Sequence, residues 1–246
     1  MALLVDGQIN GLEDLREWDS GILDVADGER IDLGAKLRRA QAEIEEEVER
    51  FLRDQERGMI TQVVADRGLR HWHALKTLEA VYRDAYFNQL NDRYGEKWKH
   101  YLELAEKQAS RYFDAGVAIV YAPLRRPPQV TAVAGDGELP PATYRVVATV
   151  VDSQGRESAP SEEVVVSQPA PHSFVARLPY APEGATGWNI YVGFSDGEPA
   201  LQNETPLGLQ EAWSLTAAGL RTGRPPGEGQ APDEVIRRSG SILLRG

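Results

Sequence analysis

The 246 residues include no cysteine. That removes a disulfide framework, a thiolate metal site and a cysteine nucleophile together, and it fits synthesis and assembly in the cytoplasm. Long apolar runs are also missing. No stretch approaches the roughly 20 apolar residues that a bilayer crossing needs. Met1 to Asp6 have neither the basic region nor the apolar length of a secretory signal, so the expectation is a soluble protein without a signal peptide. Positive charge is scarce: 27 Lys and Arg stand against 38 Asp and Glu, a formal charge of −11. Residues 1–122 carry 17 basic and 24 acidic side chains and the remainder 10 and 14, so neither half hides a basic patch, and no lysine follows Lys107. Wrapping nucleic acid by counterion release is disfavoured by that balance. The phosphate-binding and hydrolase signatures are absent too: no Gly-x-x-x-x-Gly-Lys-Ser/Thr, no Gly-x-Gly-x-x-Gly after a strand, no Gly-x-Ser-x-Gly and no His-Glu-x-x-His. Gly135-Asp136-Gly137 and Gly227-Glu228-Gly229 sit in turn contexts. A carboxylate pair for glycoside cleavage has no motif of its own, and nothing points to one.

What is present divides by period. Asn10 to Trp18 read as a short helix stopped at Gly21. After Asp32, a favoured N-cap, Leu33, Leu37, Ala40, Ile44, Val48, Phe51 and Leu52 recur at spacings of three and four, which predicts a helix to about Gln55. Glu43, Glu45, Glu46, Glu47 and Glu49 fall on its opposite face within reach of Arg50 and Arg53, the pattern of a solvated face rather than of a metal site. Met59 to Gly68 is indeterminate. Two further helices are expected at about 69–90 and 94–114, with Trp72, Tyr82, Tyr86, Trp98, Tyr101, Tyr112 and Phe113 on their apolar stripes as core. His71 and His73, two apart on a helix, point in different directions and lack a third ligand at zinc-like spacing.

From Val117 the chain becomes extended, and Pro123 to Pro128 read as a stiff linker. Strands are expected at 130–134, 144–151, 163–167, 174–178, 188–194 and 209–215. Trp188, Ile190 and Val192 share one face of a strand, with Asn189 and Tyr191 on the other. Tyr144 to Val151 is long and apolar enough to lie beside it. Asp152 to Ser161 is the loop between strands. The expected architecture is multidomain α plus β: an antiparallel helical bundle over 1–122, a linker at 123–128, a β-sandwich of six or seven strands over 129–225, and an extended tail over 226–246. Across the end of the sandwich span and the tail, 221–232 read as a Gly/Pro tether, 233–238 as a polar stretch able to make a helical turn, and Ser241 to Arg245 as a short apolar run.

The Tyr-led strand, the loop Gly155-Arg-Glu-Ser-Ala-Pro-Ser161, the Val-rich strand and Trp188-Asn-Ile-Tyr-Val192 together resemble the fibronectin-type-III-like (Ig-like) modules of bacteriophage virion proteins. Leu15 to Trp18, Ile-Leu-Asp-Val-Ala at 22–26, Ile-Asp-Leu at 31–33 and the long helix after them resemble the helical head-to-tail connector proteins beneath the portal of tailed phages. The resemblance implies an adaptor without catalysis, cofactor or metal. It would form a homododecameric ring joining the portal protein to tail or neck proteins, with no membrane and with DNA at most passing through the lumen. It would belong to the virion neck, assembled in the host cytoplasm. It also implies that Ile242, Leu243 and Leu244 contact a partner. A rival expectation is an oligomeric binding module whose sandwich recognises a carbohydrate or host-surface ligand, with Tyr180 and Phe194 as the exposed aromatics that would serve it.

Overall fold

The computed structural model describes residues 1–88, 92–169 and 171–238. The chain is α plus β, a helical N-terminal region followed by strands in antiparallel sheets. Five α-helices are described: α1 (Leu12–Trp18), α2 (Ile22–Glu29), α3 (Leu33–Asp54), α4 (Arg67–Asn88) and α5 (Gly95–Ala115). The strands are β1 (Val117–Ile119), β2 (Thr131–Leu139), β3 (Ala142–Val151), β4 (Val164–Gln168), β5 (His172–Arg177), β6 (Gly187–Phe194), β7 (Ala200–Leu201), β8 (Trp213–Ser214) and β9 (Glu234–Ile236). No helix among the described residues is long and apolar enough to cross a membrane.

The residues form two compact units. One comprises Leu4–Tyr121 and the chain from Pro232; the other comprises Met1–Leu3 and Ala122–Ala231. The chain therefore changes unit three times, where the sequence suggested a single proline-rich junction.

In the helical unit, the Asp32 carboxylate accepts from the Ala35 backbone N–H at 3.0 Å and starts α3. The whole predicted stripe from Leu33 to Leu52 is buried. α4 is buried on more than one face because α2, α3 and α5 all pack on it. One core cluster gathers Ile44, Phe51, Trp72, Phe113 and Ile119; a second gathers Leu15, Leu37, Leu78, Tyr82 and Tyr101. α2 was not expected. It is short, carries Asp24, Asp27 and Gly28, and stops at Arg30, whose φ of 57° is left-handed.

Residues 233–238, read as a possible helical turn, instead supply β9. It pairs antiparallel with β1, Val117 opposite Ile236, and places Ile236 in the helical core. A three-residue strand is too short to show a period, so its conformation is set by the edge it finds.

In the strand-rich unit β3 and β6 lie side by side, Val146 opposite Val192 and Val150 opposite Trp188, in a sheet ordered β4-β3-β6-β7. A second sheet is ordered β2-β5-β8. Tyr144, Val146, Ala148, Val150, Trp188, Ile190 and Val192 from the first sheet share one core with Phe174 and Ala176 from the second. Trp188 is fully buried, and its indole N–H donates to the Gly208 carbonyl at 3.0 Å. The opposite face of β3 and β6, with Asn189 and Tyr191, is buried as well.

The expected linker and tether each contribute buried residues. Leu124 lies in the core, and its N–H donates to the Gln230 side-chain carbonyl at 2.7 Å. Gln230 is itself buried, and its amide donates to the Ala122 carbonyl at 3.0 Å. Gly229 adopts φ +103°, and a Cβ there would lie 2.5 Å from the Met1 carbonyl oxygen and 2.8 Å from the Ala159 nitrogen. At Gly229 glycine permits close approach rather than freedom.

Candidate functional site

Titratable clusters occur in both units. In the strand-rich unit, Asp152 closes the turn after β3 by accepting from the Gln154 and Arg156 backbone N–H groups, both at 2.9 Å. The chain then runs back along β3, with Glu157 bridged to Val151. Thr149 and Asn189 are register partners on β3 and β6, and Tyr191 is two residues on, so all three project from the same face. The Glu157 carboxylate accepts from Thr149 Oγ1, from Asn189 Nδ2 at 2.9 Å, from the Tyr191 hydroxyl at 2.6 Å and from Arg224 Nη2 at 2.7 Å. Burial alone would raise the Glu157 carboxyl. The hydrogen bonds from Thr149, Tyr191, Asn189 and Arg224 outweigh it and hold the group below the usual glutamate range. A carboxylate with its lone pairs taken up in this way is a weak base, and its proton is not on offer as an acid. Its chemical role is to hold the 221–224 segment, which is also fixed by Leu201 N–H donating to the Arg224 carbonyl at 2.9 Å.

The helical unit has a comparable cluster at the corner between α1 and α2. Asp19 accepts from the Gly21 N–H at 3.0 Å, the Tyr82 hydroxyl at 2.6 Å, Lys97 Nζ at 2.8 Å and the Tyr101 hydroxyl at 3.1 Å. The Tyr82 and Tyr101 rings stack with centroids 5.4 Å apart. Burial opposes ionisation of Asp19, but the bonds from Lys97, Tyr82 and Gly21 leave its carboxyl below the usual aspartate range. Burial first, and then Asp19, push both tyrosine hydroxyls up. The cluster ties α1 and α2 to α4 and α5. Its members are up to 82 residues apart, and no local pattern in the sequence joins them.

The histidines separate as their spacing suggested. His71 stacks on Trp18 with ring centroids 4.1 Å apart. His73 is buried, its Nε2 2.9 Å from the Leu37 carbonyl and its Nδ1 without a hydrogen-bond partner among the described residues. Burial lowers the pKa of both imidazoles. Among the described residues, no three His, Asp or Glu side chains are grouped to hold a metal ion. The glutamates of α3 form ion pairs: Glu43 with Arg39 and Lys76, Glu47 with Lys76, and Glu49 with Arg53. Arg50, expected to share in this, makes no ion pair among the described residues.

Beside that face, the end of α3 borders a groove of about 360 Å³, lined by Glu47, Arg50, Phe51, Asp54 and Gln55, by Phe113 of α5 and by Arg238. The Arg238 guanidinium is 5.9 Å from the Phe113 ring centroid and 3.8 Å from Asp114. Ile242, Leu243 and Leu244, the expected partner contacts, lie outside the described residues. In the strand-rich unit Tyr180 is 68 % exposed and Phe194 50 %. The chain matches no model of a known protein family and no curated protein.

Proposed function

We propose that the protein is a structural component of tailed-bacteriophage virions, a head-to-tail adaptor that forms a ring under the portal and joins capsid to tail. The observation that carries this reading is the order of features in one chain. A helical region bearing the connector-like segments at 15–33 precedes a strand-rich unit in which Trp188, Ile190 and Val192 fill the core and Glu157 of the Gly155 to Ser161 loop binds the opposite face of the same strand pair. In this reading α1 to α5 make an antiparallel bundle that docks on the portal. The two sheets make a fibronectin-type-III-like sandwich that decorates the neck or meets tail proteins. Twelve copies close the ring, and Ile242, Leu243 and Leu244 reach the portal. The formal charge of −11 suits a conduit through which DNA slides without sticking. The protein works in the virion neck, is assembled in the host cytoplasm and carries out no catalysis.

Negative-stain images of the purified protein, alone and mixed with portal protein, test this. Rings that cap the portal are expected, and a monomer that ignores the portal overturns the reading. The exposure of Tyr180 and Phe194 supports a second reading, an oligomeric module whose sandwich binds a carbohydrate or host-surface ligand. Loss of glycan binding on Tyr180→Ala, with no portal binding by the parent, would favour it.

A further inference from the structure

We propose that the flank where α5 meets the start of α4 binds a single-stranded nucleic acid, its phosphates on Arg67, Lys107 and Arg111 and a base on Trp18. The net charge of −11 conceals a row of cations along α5. Lys97, His100, Leu104, Lys107 and Arg111 recur there at spacings of three and four, within an arc of about 80°. Leu104 packs against the core, and the other four are exposed. The acids of α5 leave the row clear. Glu103 and Glu106 lie about 80° and 140° from its centre, while Glu96 pairs with Lys99 at 3.5 Å and Asp114 with Arg238 at 3.8 Å. The Gln108 amide donates to the Gly68 carbonyl at 3.2 Å, which sets Arg67 beside the Lys107 and Arg111 end of the row.

Lys97 is already paired with Asp19 at 2.8 Å, and Asp66 is occupied as the cap of α4, accepting from the Leu69 N–H at 2.8 Å. Arg67, Lys107 and Arg111 are exposed and make no ion pair among the described residues. Cations gathered on one surface draw a polyanion and release its counterions. Beside them Trp18, 48 % exposed, stacks on His71 with the ring planes 9° apart. Burial first, and then Arg67 and Arg111, hold the His71 imidazole below its usual range, so both guanidiniums are within electrostatic reach of the ring that carries Trp18. Cations alone would serve any polyanion. A half-exposed indole among them favours one whose charged backbone carries flat rings free to stack, and a duplex keeps its rings stacked on each other. The inference does not rest on the adaptor reading, and its test needs no portal.

The probe is a fluorescein-labelled oligothymidylate of about 20 nucleotides, titrated with the full-length protein and read by anisotropy. At about 50 mM salt it should bind with a Kd below about 100 µM, and raising the salt to about 200 mM should weaken it about tenfold or more, as roughly three phosphate contacts require. Lys107→Gln with Arg111→Gln should weaken binding by about tenfold or more. Arg39→Gln with Arg53→Gln makes the same change of net charge at exposed positions of α3 and should leave the affinity within about twofold. Trp18→Ala should weaken the single strand about fivefold or more and leave a duplex of the same length unchanged. No saturable binding at the lower salt, equal losses in the two charge variants, a Trp18→Ala protein that keeps its affinity for the single strand, or polyglutamate of matched charge competing as well as the oligonucleotide would each overturn the proposal.

Discussion

Arg224 and Glu157 are 67 residues apart in the chain and meet at 2.7 Å. That contact fixes a proline- and glycine-rich segment over the side of the β3–β6 pair facing away from the core.

The strand-rich unit should lose stability in acid through Glu157. Its folded-state pKa is lowered, so the stabilisation is present in full above the ordinary glutamate value of 4.5 and is lost as pH falls through the lower folded value. Glu157→Gln should remove that pH dependence and cost about 2 kcal/mol at pH 7, because charge-assisted bonds become neutral ones. Arg224→Ala, whose side chain is half exposed, should cost less than about 1 kcal/mol. Melting of both variants and the parent between pH 3 and pH 7 checks the order.

Trp188→Ala should cost about 3 to 5 kcal/mol, since it empties a fully buried site and leaves the Gly208 carbonyl without its indole donor. A loss of that size unfolds a marginal domain. Chemical denaturation followed by tryptophan fluorescence and by circular dichroism measures it, and an unchanged midpoint would remove Trp188 from the core.

Ending the chain after Gln230 should destabilise the helical unit, because it deletes β9 and takes Ile236 out of the core. Ending it after Arg238 keeps β9 and should not carry that loss. Ile236→Ala in the full chain should cost about 2 to 4 kcal/mol. Calorimetry of the three proteins separates these outcomes, and equal melting for both truncations would deny β9 its place.

Gly116→Ala should be nearly as damaging as losing β9. Gly116 adopts φ +105°, and a Cβ there would lie 2.7 Å from Val235 Cγ1 and 2.8 Å from the Ile236 carbonyl oxygen. Strain and collision together should cost about 2 to 3 kcal/mol. Denaturation curves of the variant give the value, and a neutral substitution would mean that β1 and β9 do not approach this closely.

Where burial follows one period, it was legible in the sequence. The stripe of α3 with Asp32 before it, and the alternation that pairs β3 with β6, needed no tertiary information. Asn189 and Tyr191 were read as the face away from the core, and that face proves buried because Glu157 and Arg224 come over it from remote positions. The same remoteness hid the Asp19 cluster. Composition misled at 221–232: a run of Gly and Pro is compatible both with a free tether and with a backbone pressed against its neighbours, and Gly229 shows the second. Of the candidate contacts, Ile242, Leu243 and Leu244 rest on the sequence alone, while the groove beside Arg238 depends on α3, α5 and the chain after β9 coming together.

The hydrogen bonds between residues 119–121 and Asp233 have a topological consequence. The Asp233 N–H donates to the Ile119 carbonyl at 2.9 Å, and the Tyr121 N–H donates to the Asp233 carboxylate at 2.8 Å. The points where the chain leaves the helical unit and re-enters it are therefore adjacent, and residues 122–231 form an insertion between two neighbouring strands rather than a cargo hung on the end. Such an insertion can be exchanged without breaking its host, because a turn of a few residues spans the same gap. A gene that gains, loses or replaces this segment would still encode a closed helical core.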